Sequence, residues 1–578
     1  MSLATPTLDN FLSSVYKLLQ SKDAVQLRRY LLVEPPLPDI YSMMITELRQ
    51  AFPAPRAEAL SRKCETLLPE NVDRRPEDEV GSPWPGFLTF MKEYLEYLRE
   101  VNVENLLETH QLLSSLTNQC ITSLSNASMG LVVLPTCLSL SATLARLAMG
   151  LDKRPELTAH LIRRKSMVDA GDDSESKQTL VEGTAELLQR PFTICLTDRT
   201  ASGTGIGRDG RPEGKKVGIY LFANLVLKLL FQCQKTRLAS QIFTNISQHS
   251  PPLASFPASQ RVTYLYYLGR FAFSNNHFTR AQTTLQAAHD QCQVQGVRQR
   301  RLILIYLISS NIILGRFPTT SLLQQPEARG LGPKFWPLCQ AIGRGDLAGF
   351  IQSLEGEHHQ WFLARGILLP LRNRCEVLVW RTLARKTYVM NGVPGGESRR
   401  APTFSLYDFL HLARFLQQRS QSSSSRAGNA LTNGRVHINS IFLAAPAPES
   451  RTSHAQLSPD PDLVDGDQAE SESESESDLS LPSMLDVESI LASLIAQGLL
   501  HGFLSHKLLR FAILGSKSKG ALSAGFPAPW SVLKPREDQA VPGWVKEESR
   551  APMMAGRAVG PGMVVNLSGA RPAGAFSA

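Results

Sequence analysis

The sequence lacks most of the features from which enzyme active sites are built. Its eight cysteines (Cys64, Cys120, Cys137, Cys195, Cys233, Cys292, Cys339 and Cys375) stand singly in 578 residues, and no two sit at CxxC spacing. A structural zinc site needs three or four converging ligands, and a disulfide framework needs a dense, paired set. Neither is expected. Most of these thiols fall in apolar helical stretches, where cysteine packs as a small hydrophobe, and a reducing compartment fits. Gly205-Ile206-Gly207-Arg208-Asp209-Gly210 matches G-x-G-x-x-G, but a dinucleotide site needs a strand before that loop and a helix opening at it. Residues 192–198 read as a candidate strand, yet the glycine run continues into Arg-Pro-Glu-Gly-Lys-Lys, which reads as a flexible loop. Gly214-Lys215-Lys216 is not a phosphate loop: the upstream Gly is misplaced, and Lys216 stands where Ser or Thr should hold magnesium. No GxSxG is present. His358-His359 and the pair His501/His506 lack Cys or carboxylate partners at ligand spacing, so they read as surface or packing residues. No metal, cofactor or catalytic group is expected, and the chain reads as a non-enzyme.

The start, MSLATPTLDNFLSSVYKLL, lacks a basic segment followed by an apolar core, so no signal peptide is expected. One long uncharged run exists, residues 111–145. It carries many Ser, Thr and Asn and a central Pro135, which favours two buried helices over a membrane span.

Charge is present but uneven. The net is +9, and residues 449–478 hold ten acidic side chains against one Arg, a local −9 that leaves +18 on the rest. A basic body with an acidic strip suggests an anionic partner, nucleic acid first. A solvated basic surface gives the same numbers.

Apolar periodicity says mostly helix. Residues 1–165 read as helices with proline-rich joints, and in FLTFMKEYLEYLREV the residues Phe87, Phe90, Met91, Tyr94 and Tyr97 share one face. Residues 166–216 read as a linker followed by a Gly-rich loop. From 217 to 400 helix follows helix. In YLYYLGRFAFSNNHFTRAQTTLQAAHDQC, Leu268-Gly269 followed by Ala281, Leu285 and Ala288 matches the small-and-large spacing of a tetratricopeptide-type helix pair, with Ser274-Asn275-Asn276 as the turn. A run of such pairs makes a helical solenoid.

FSLYDFLHLARFLQQ, 404–418, is a further amphipathic helix, after which composition turns to low complexity through the SESESES run. The segment 420–481 and the tail 531–578 are expected to be disordered, because they bury too little apolar surface to offset chain entropy. Between them order returns. Val487, Ile490, Leu491, Leu494 and Ile495 make one buried helix stripe, Ser483 and Asp486 a capping pair and Gly498 a helix stop. Residues 502–505 and 509–514 read as two strands with His506-Lys507 at the turn. Helix, helix, hairpin is the layout of a winged helix over 404–530, interrupted by the acidic insert.

A helical solenoid capped by a winged helix resembles the PCI domain, shared by subunits of the proteasome lid, the COP-nine signalosome and a translation initiation factor. GIYLFANLVLKLLFQ, QRVTYLYYLGRFAFSNNHFTRAQTTLQAAHDQC, RRLILIYLISSNIILGRFPT and LIAQGLLHGFLSHK are similar, in order, to segments of the branch that holds PCI domain-containing protein 2 and the fungal twelfth-subunit homologues of the signalosome. The resemblance covers about 180–530 well and the N-terminal helices more loosely. The insert 420–481 departs from it. The resemblance implies a nuclear scaffold, present in the cytoplasm as well. It would pair with a second PCI-type helical protein and a small acidic proteasome-lid protein in the transcription and export complex 2 or a relative. It would act in transcript elongation, processing and export without a membrane, its winged helix binding RNA and duplex DNA. A protein-only scaffold tied to the signalosome or the proteasome lid is the alternative.

On a winged helix, Lys507, Arg510, Lys517 and Lys519 crowd the wing, and Arg414 and Arg419 end the first helix of the unit. These are the nucleic-acid candidates, with Ser489, Ser493 and Gln497 on the exposed face of the second helix. A second strip, Arg365, Arg372, Arg374, Arg381, Arg385 and Lys386, precedes the unit; Arg365, Arg372, Arg381 and Arg385 are candidates for contact with a partner. Ser471, Ser473, Ser475 and Ser477 are followed by acidic residues and are candidate phosphorylation sites whose charge would compete with nucleic acid at the wing.

Overall fold

Apolar stripes at helical spacing run through nearly all the described residues, and the chain packs them layer on layer. The structure, a computed structural model, describes residues 5–53, 57–68, 84–102, 104–154, 156, 179–199, 205–395, 401–428 and 482–533. The first helices are α1 (Pro6–Gln20), α2 (Ala24–Tyr30), α3 (Asp39–Ala51), α4 (Ala57–Leu67) and α5 (Pro85–Glu100). In α5 the expected face, Phe87, Phe90, Met91, Tyr94 and Tyr97, is buried. Two of its hydroxyls stay satisfied by donating to the proline-rich joint, Tyr94 to the carbonyl of Leu32 at 2.8 Å and Tyr97 to that of Val33 at 3.3 Å.

The uncharged run forms α6 (Leu106–Leu124) and α7 (Gly130–Asp152). By length and composition α7 is apolar enough to cross a membrane. Here Val133, Cys137, Leu140, Leu144, Ala145 and Ala148 are buried as it packs against α2 and α6.

The structure corrects the reading of 166–216 as linker and loop. Residues Leu180–Leu196 form a helix, α8, that packs on α6 and α7. It also replaces the strand expected at 192–198. The physical reason was present in the sequence: Val181, Ala185, Leu188, Phe192 and Cys195 recur at helical spacing and are all buried. In the Gly-rich loop, Lys215 is only 4% exposed. Its Nζ donates to the carbonyls of Asn126 at 2.7 Å and Ser125 at 3.5 Å, just past the end of α6, and its backbone N–H donates to Asp198 at 3.0 Å. The cation thus sits at the negative end of that helix, and burial pulls its pKa down.

The solenoid continues through α9 (Ile219–Gln232), α10 (Thr236–His249), α11 (Ala258–Ser274), α12 (Phe278–Gln291), α13 (Val297–Ile313), α14 (Thr320–Leu323), α15 (Gly332–Arg344), α16 (Leu347–Glu355), α17 (His359–Leu363) and α18 (Leu368–Asn391). Helix α11 explains how the layers join. Tyr264, Tyr267, Leu268 and Phe271 belong to the core that begins at Leu8, while Val262, Leu265, Ala272 and Phe273 belong to the core that runs on to Val379. One helix thus feeds two layers, and the N-terminal helices and the later repeats form one stack. The predicted pair α11–α12 is present, with Asn276 in the left-handed region (φ 62°) at its turn and Gly269 against Leu285. A Cβ on Gly269 would stand 2.5 Å from Leu285 Cγ. Gly269→Ala is therefore expected to destabilise the chain by about 1–3 kcal/mol. Urea denaturation measures this, and an unchanged midpoint would show that the two helices have slack.

The chain ends in a winged helix with its own core, running from Trp380 to Phe526. It comprises the C-terminal half of α18, β1 (Thr403–Ser405), α19 (Leu406–Gly428), α20 (Met484–Ala496), β2 (Gly502–Ser505) and β3 (Arg510–Ile513). The short helices α21 (Ser516–Lys519), α22 (Ala521–Gly525) and α23 (Pro529–Leu533) follow. Two differences from expectation stand out. The residues at the start of the expected helix 404–418 form a third strand, β1, and the helix continues to Gly428. The sheet order is β1-β3-β2, antiparallel throughout.

Candidate nucleic-acid interface

The hairpin's position follows from alternation. Phe511 and Ile513 are buried, and Phe511 packs against Phe404 across the β1–β3 ladder, the rings tilted by 39° with centroids 5.2 Å apart. Residues one step away point outward. Arg510 pairs with Ser405 and Ser505, and Ala512 pairs with Thr403 and Phe503.

Helix α20 packs beneath the hairpin through Val487, Leu491 and Leu494. Its start is the expected capping box: the Ser483 backbone N–H donates to Asp486 at 2.9 Å and the Asp486 N–H donates to the Ser483 hydroxyl at 3.3 Å. The Ser483 backbone N–H, with the Ser483 hydroxyl donating to the same carboxylate at 2.8 Å, holds the Asp486 carboxyl below its usual range. On the exposed face Ser489 and Ser493 are open, and Gln497 donates to Ser493 at 3.0 Å. Glu488 meets His506 of the wing turn at 2.9 Å. The other expected surface histidine site lies apart, His358 facing Lys334 at 3.5 Å.

Of the expected nucleic-acid residues, four gather around the hairpin. Lys507 lies in its turn, Arg510 at the start of β3, and Lys517 and Lys519 on α21 just past its root; all are exposed. None of the four has a carboxylate partner among the described residues. Arg414 has a different job. Its Nε donates to the carbonyl of Pro482 at 3.0 Å, holding the point where the chain re-enters after the insert. Arg419 is exposed near the middle of α19.

The second basic strip divides in the same way. Arg365 stacks over Trp361 at 4.1 Å and donates to its carbonyl at 3.1 Å; burial lowers its pKa. Arg372 pairs with Glu355 at 3.0 Å. Arg381 donates to the carbonyls of Phe526 and Pro527 at 2.9 and 2.7 Å, and burial, aided by Arg385, pulls its pKa down to about 10. Lys386 donates to the Arg344 carbonyl at 2.8 Å. Arg374 and Arg385 are exposed. The serines Ser471, Ser473, Ser475 and Ser477, and the tail from 534, lie outside the described residues.

Sequence reasoning missed two parts of this region. One is the outward row of the sheet, for which the alternation around Phe503 was the available signal. The other is the segment 526–533. There Trp530 lies under Arg316, 3.6 Å from guanidinium to ring centroid, and Pro529 sits against Gly315.

No family model matches the chain. It is similar to a PCI domain-containing protein of Schizosaccharomyces pombe, 27% identical over 390 residues that cover 66% of this chain and 79% of the relative. It is similar to a protein of Neurospora crassa named CSN12 homolog, 30% identical over 249 residues, 42% of this chain and 52% of the relative. PCI domain-containing protein 2 of Xenopus laevis is 28% identical over 211 residues, 36% of this chain and 49% of the relative. The chain thus spans about half the length of the last two.

Proposed function

From the premise that this chain is a PCI domain protein, we propose that it is a non-enzymatic scaffold subunit of a nuclear complex of the transcription and export complex 2 type. Its work is in transcription elongation and in mRNA processing and export. Its winged helix binds RNA and double-stranded DNA, and the chain pairs with a second PCI-type protein and a small acidic proteasome-lid protein. The observation that carries the reading is the placement of Lys507, Arg510, Lys517 and Lys519. Four cations, one in the hairpin turn, one at the start of β3 and two on α21, gather at one hairpin, all exposed, as backbone binding of a polyanion requires.

The test is salt. Purified protein should bind RNA and duplex DNA with an affinity that falls as salt rises, by about 0.7 to 0.9 in log-log slope per phosphate contact. The double reversal Lys507→Glu/Arg510→Glu should weaken binding about tenfold or more at low salt and flatten the slope, while co-purification with protein partners persists. A protein-only scaffold associated with the signalosome or the lid is the second reading. It draws support from relatives that carry the name CSN12 homolog. It prevails if the reversal abolishes partner assembly and the parent protein shows no salt-dependent nucleic-acid binding.

A further inference from the structure

We propose that the outer face of the three-stranded sheet is a stacking platform for single-stranded nucleic acid. Phe503 and His501 are the rings on which bases stack, and Arg510 and Lys507 are the phosphate contacts. The proposal rests on the reading that this cap binds nucleic acid, and it assigns the single-stranded ligand its own place on the sheet.

The ladder dictates which side chains share this face. Phe503 is paired with Ala512 and Thr403, and Thr403 forms a further bridge to Val393. These four residues therefore make one row across the sheet. The next row toward the turn is Ser405, Arg510 and Ser505. In the other direction the Leu514 N–H donates to the His501 carbonyl at 3.2 Å, which extends the pairing by one rung and puts His501 and Leu514 on the same face. The His501 N–H in turn donates to the Gly525 carbonyl at 2.9 Å, so the backbone presenting its ring is held on both sides.

This face is flat in the middle and apolar at its margins. Around Arg510 on the central strand the other side chains are small: Thr403, Ser405, Ser505 and Ala512. Its margins leave large groups in solvent, with Phe503 and Val393 each 51% exposed and Leu514 45%. A phenyl ring left half in water on a rigid strand loses much of its burial free energy and offers its face to a flat partner. His501, just before edge strand β2, and Phe503 within it lie two residues apart along extended backbone, which spaces them by about 7 Å. Rings presented from neighbouring positions of a sheet, beside Lys and Arg, are how sheets take up successive unpaired bases. Positive charge lies at both ends of the platform: Lys507 and Arg510 toward the turn, Lys517 and Lys519 past the root.

The second helix argues against duplex entering by the usual route. A recognition helix puts its N-terminal residues into the major groove. Helix α20 has no Lys or Arg, and its N-terminal turns carry Asp486 and Glu488. Two carboxylates there would face the phosphates. The exposed Lys507, Arg510, Lys517 and Lys519 lie on the hairpin side, so the ligand belongs on the sheet, and a stacking sheet needs bases that are not paired.

The experiment uses the full chain, with any co-purifying protein, and two labelled probes at equal salt: a 12-nucleotide single-stranded RNA and a 12-base-pair DNA duplex. Phe503→Ala is expected to weaken single-strand binding about 5- to 150-fold, the loss of one stacked base, and to leave duplex binding and salt slope unchanged. Phe503→Trp should restore single-strand affinity, and melting should be the same in all three proteins because the ring is exposed. Equal weakening of both probes by Phe503→Ala, or none of either, overturns the platform while leaving nucleic-acid binding by the cap intact. Loss of protein partners with RNA affinity unchanged would make this face a protein interface instead. If the parent protein binds neither probe, the underlying reading fails as well.

Discussion

Phe511→Ala is expected to cost about 3–5 kcal/mol and to unfold the cap ahead of the solenoid. Phe511 is fully buried on the central strand, packed at a tilt against Phe404, and its ring lies so close to Gly502 that a Cβ there would stand 2.5 Å from it. Its neighbours are held by backbone ladders on both sides, so the void cannot close by a simple shift. The cap's core is also small, a cluster that meets the solenoid's through Leu347 and Val377, which leaves little reserve stability. Calorimetry should show a new low-temperature transition, and hydrogen exchange should rise in 403–405 and 502–513 first. A loss under about 1 kcal/mol would mean that the site collapses around the smaller side chain. A single cooperative shift of the whole chain would mean that cap and solenoid fold as one.

Arg381→Ala is expected to cost about 2–4 kcal/mol and to free the segment 526–533. The side chain donates to two carbonyls, of Phe526 and Pro527, and hydrogen bonds to a charged donor contribute roughly 1.5–3 kcal/mol each. Truncation strands both acceptors and opens a gap between α18 and the segment 526–533. Trp530 beneath Arg316 and Pro529 against Gly315 are then the remaining anchors. Limited proteolysis should cut the variant within 526–533 at protease levels that spare the parent, with partner assembly retained. If stability is unchanged and a protein partner is lost instead, Arg381 is a partner contact, as its place in a basic strip suggests.

The two variants mark the border between local and long-range information. The stripes of α5 and α20, the close approach of Gly269 to Leu285 and the cap of α20 at Ser483 were all legible, because each depends on residues within about twenty positions of one another. Helix α8 was legible too, and the polar stretch before it masked its periodicity. Strand β1 was not: it is three residues long, and it exists only because Phe404 pairs with Phe511, 107 positions away.

The same division holds for charge. Sequence alone determined that the body is basic, that its cations crowd the last helices and hairpin, and that a helical solenoid ends in a winged helix. Tertiary structure decided which cations are available. Arg414 and Arg381 donate to carbonyls 68 and 145–146 residues away, and Arg372 is paired with Glu355, whereas Lys507, Arg510, Lys517 and Lys519 face solvent. The reason is physical. Helical and strand periodicity are written in neighbouring residues, but a guanidinium's partner is whatever the folded chain brings within about 3 Å of it.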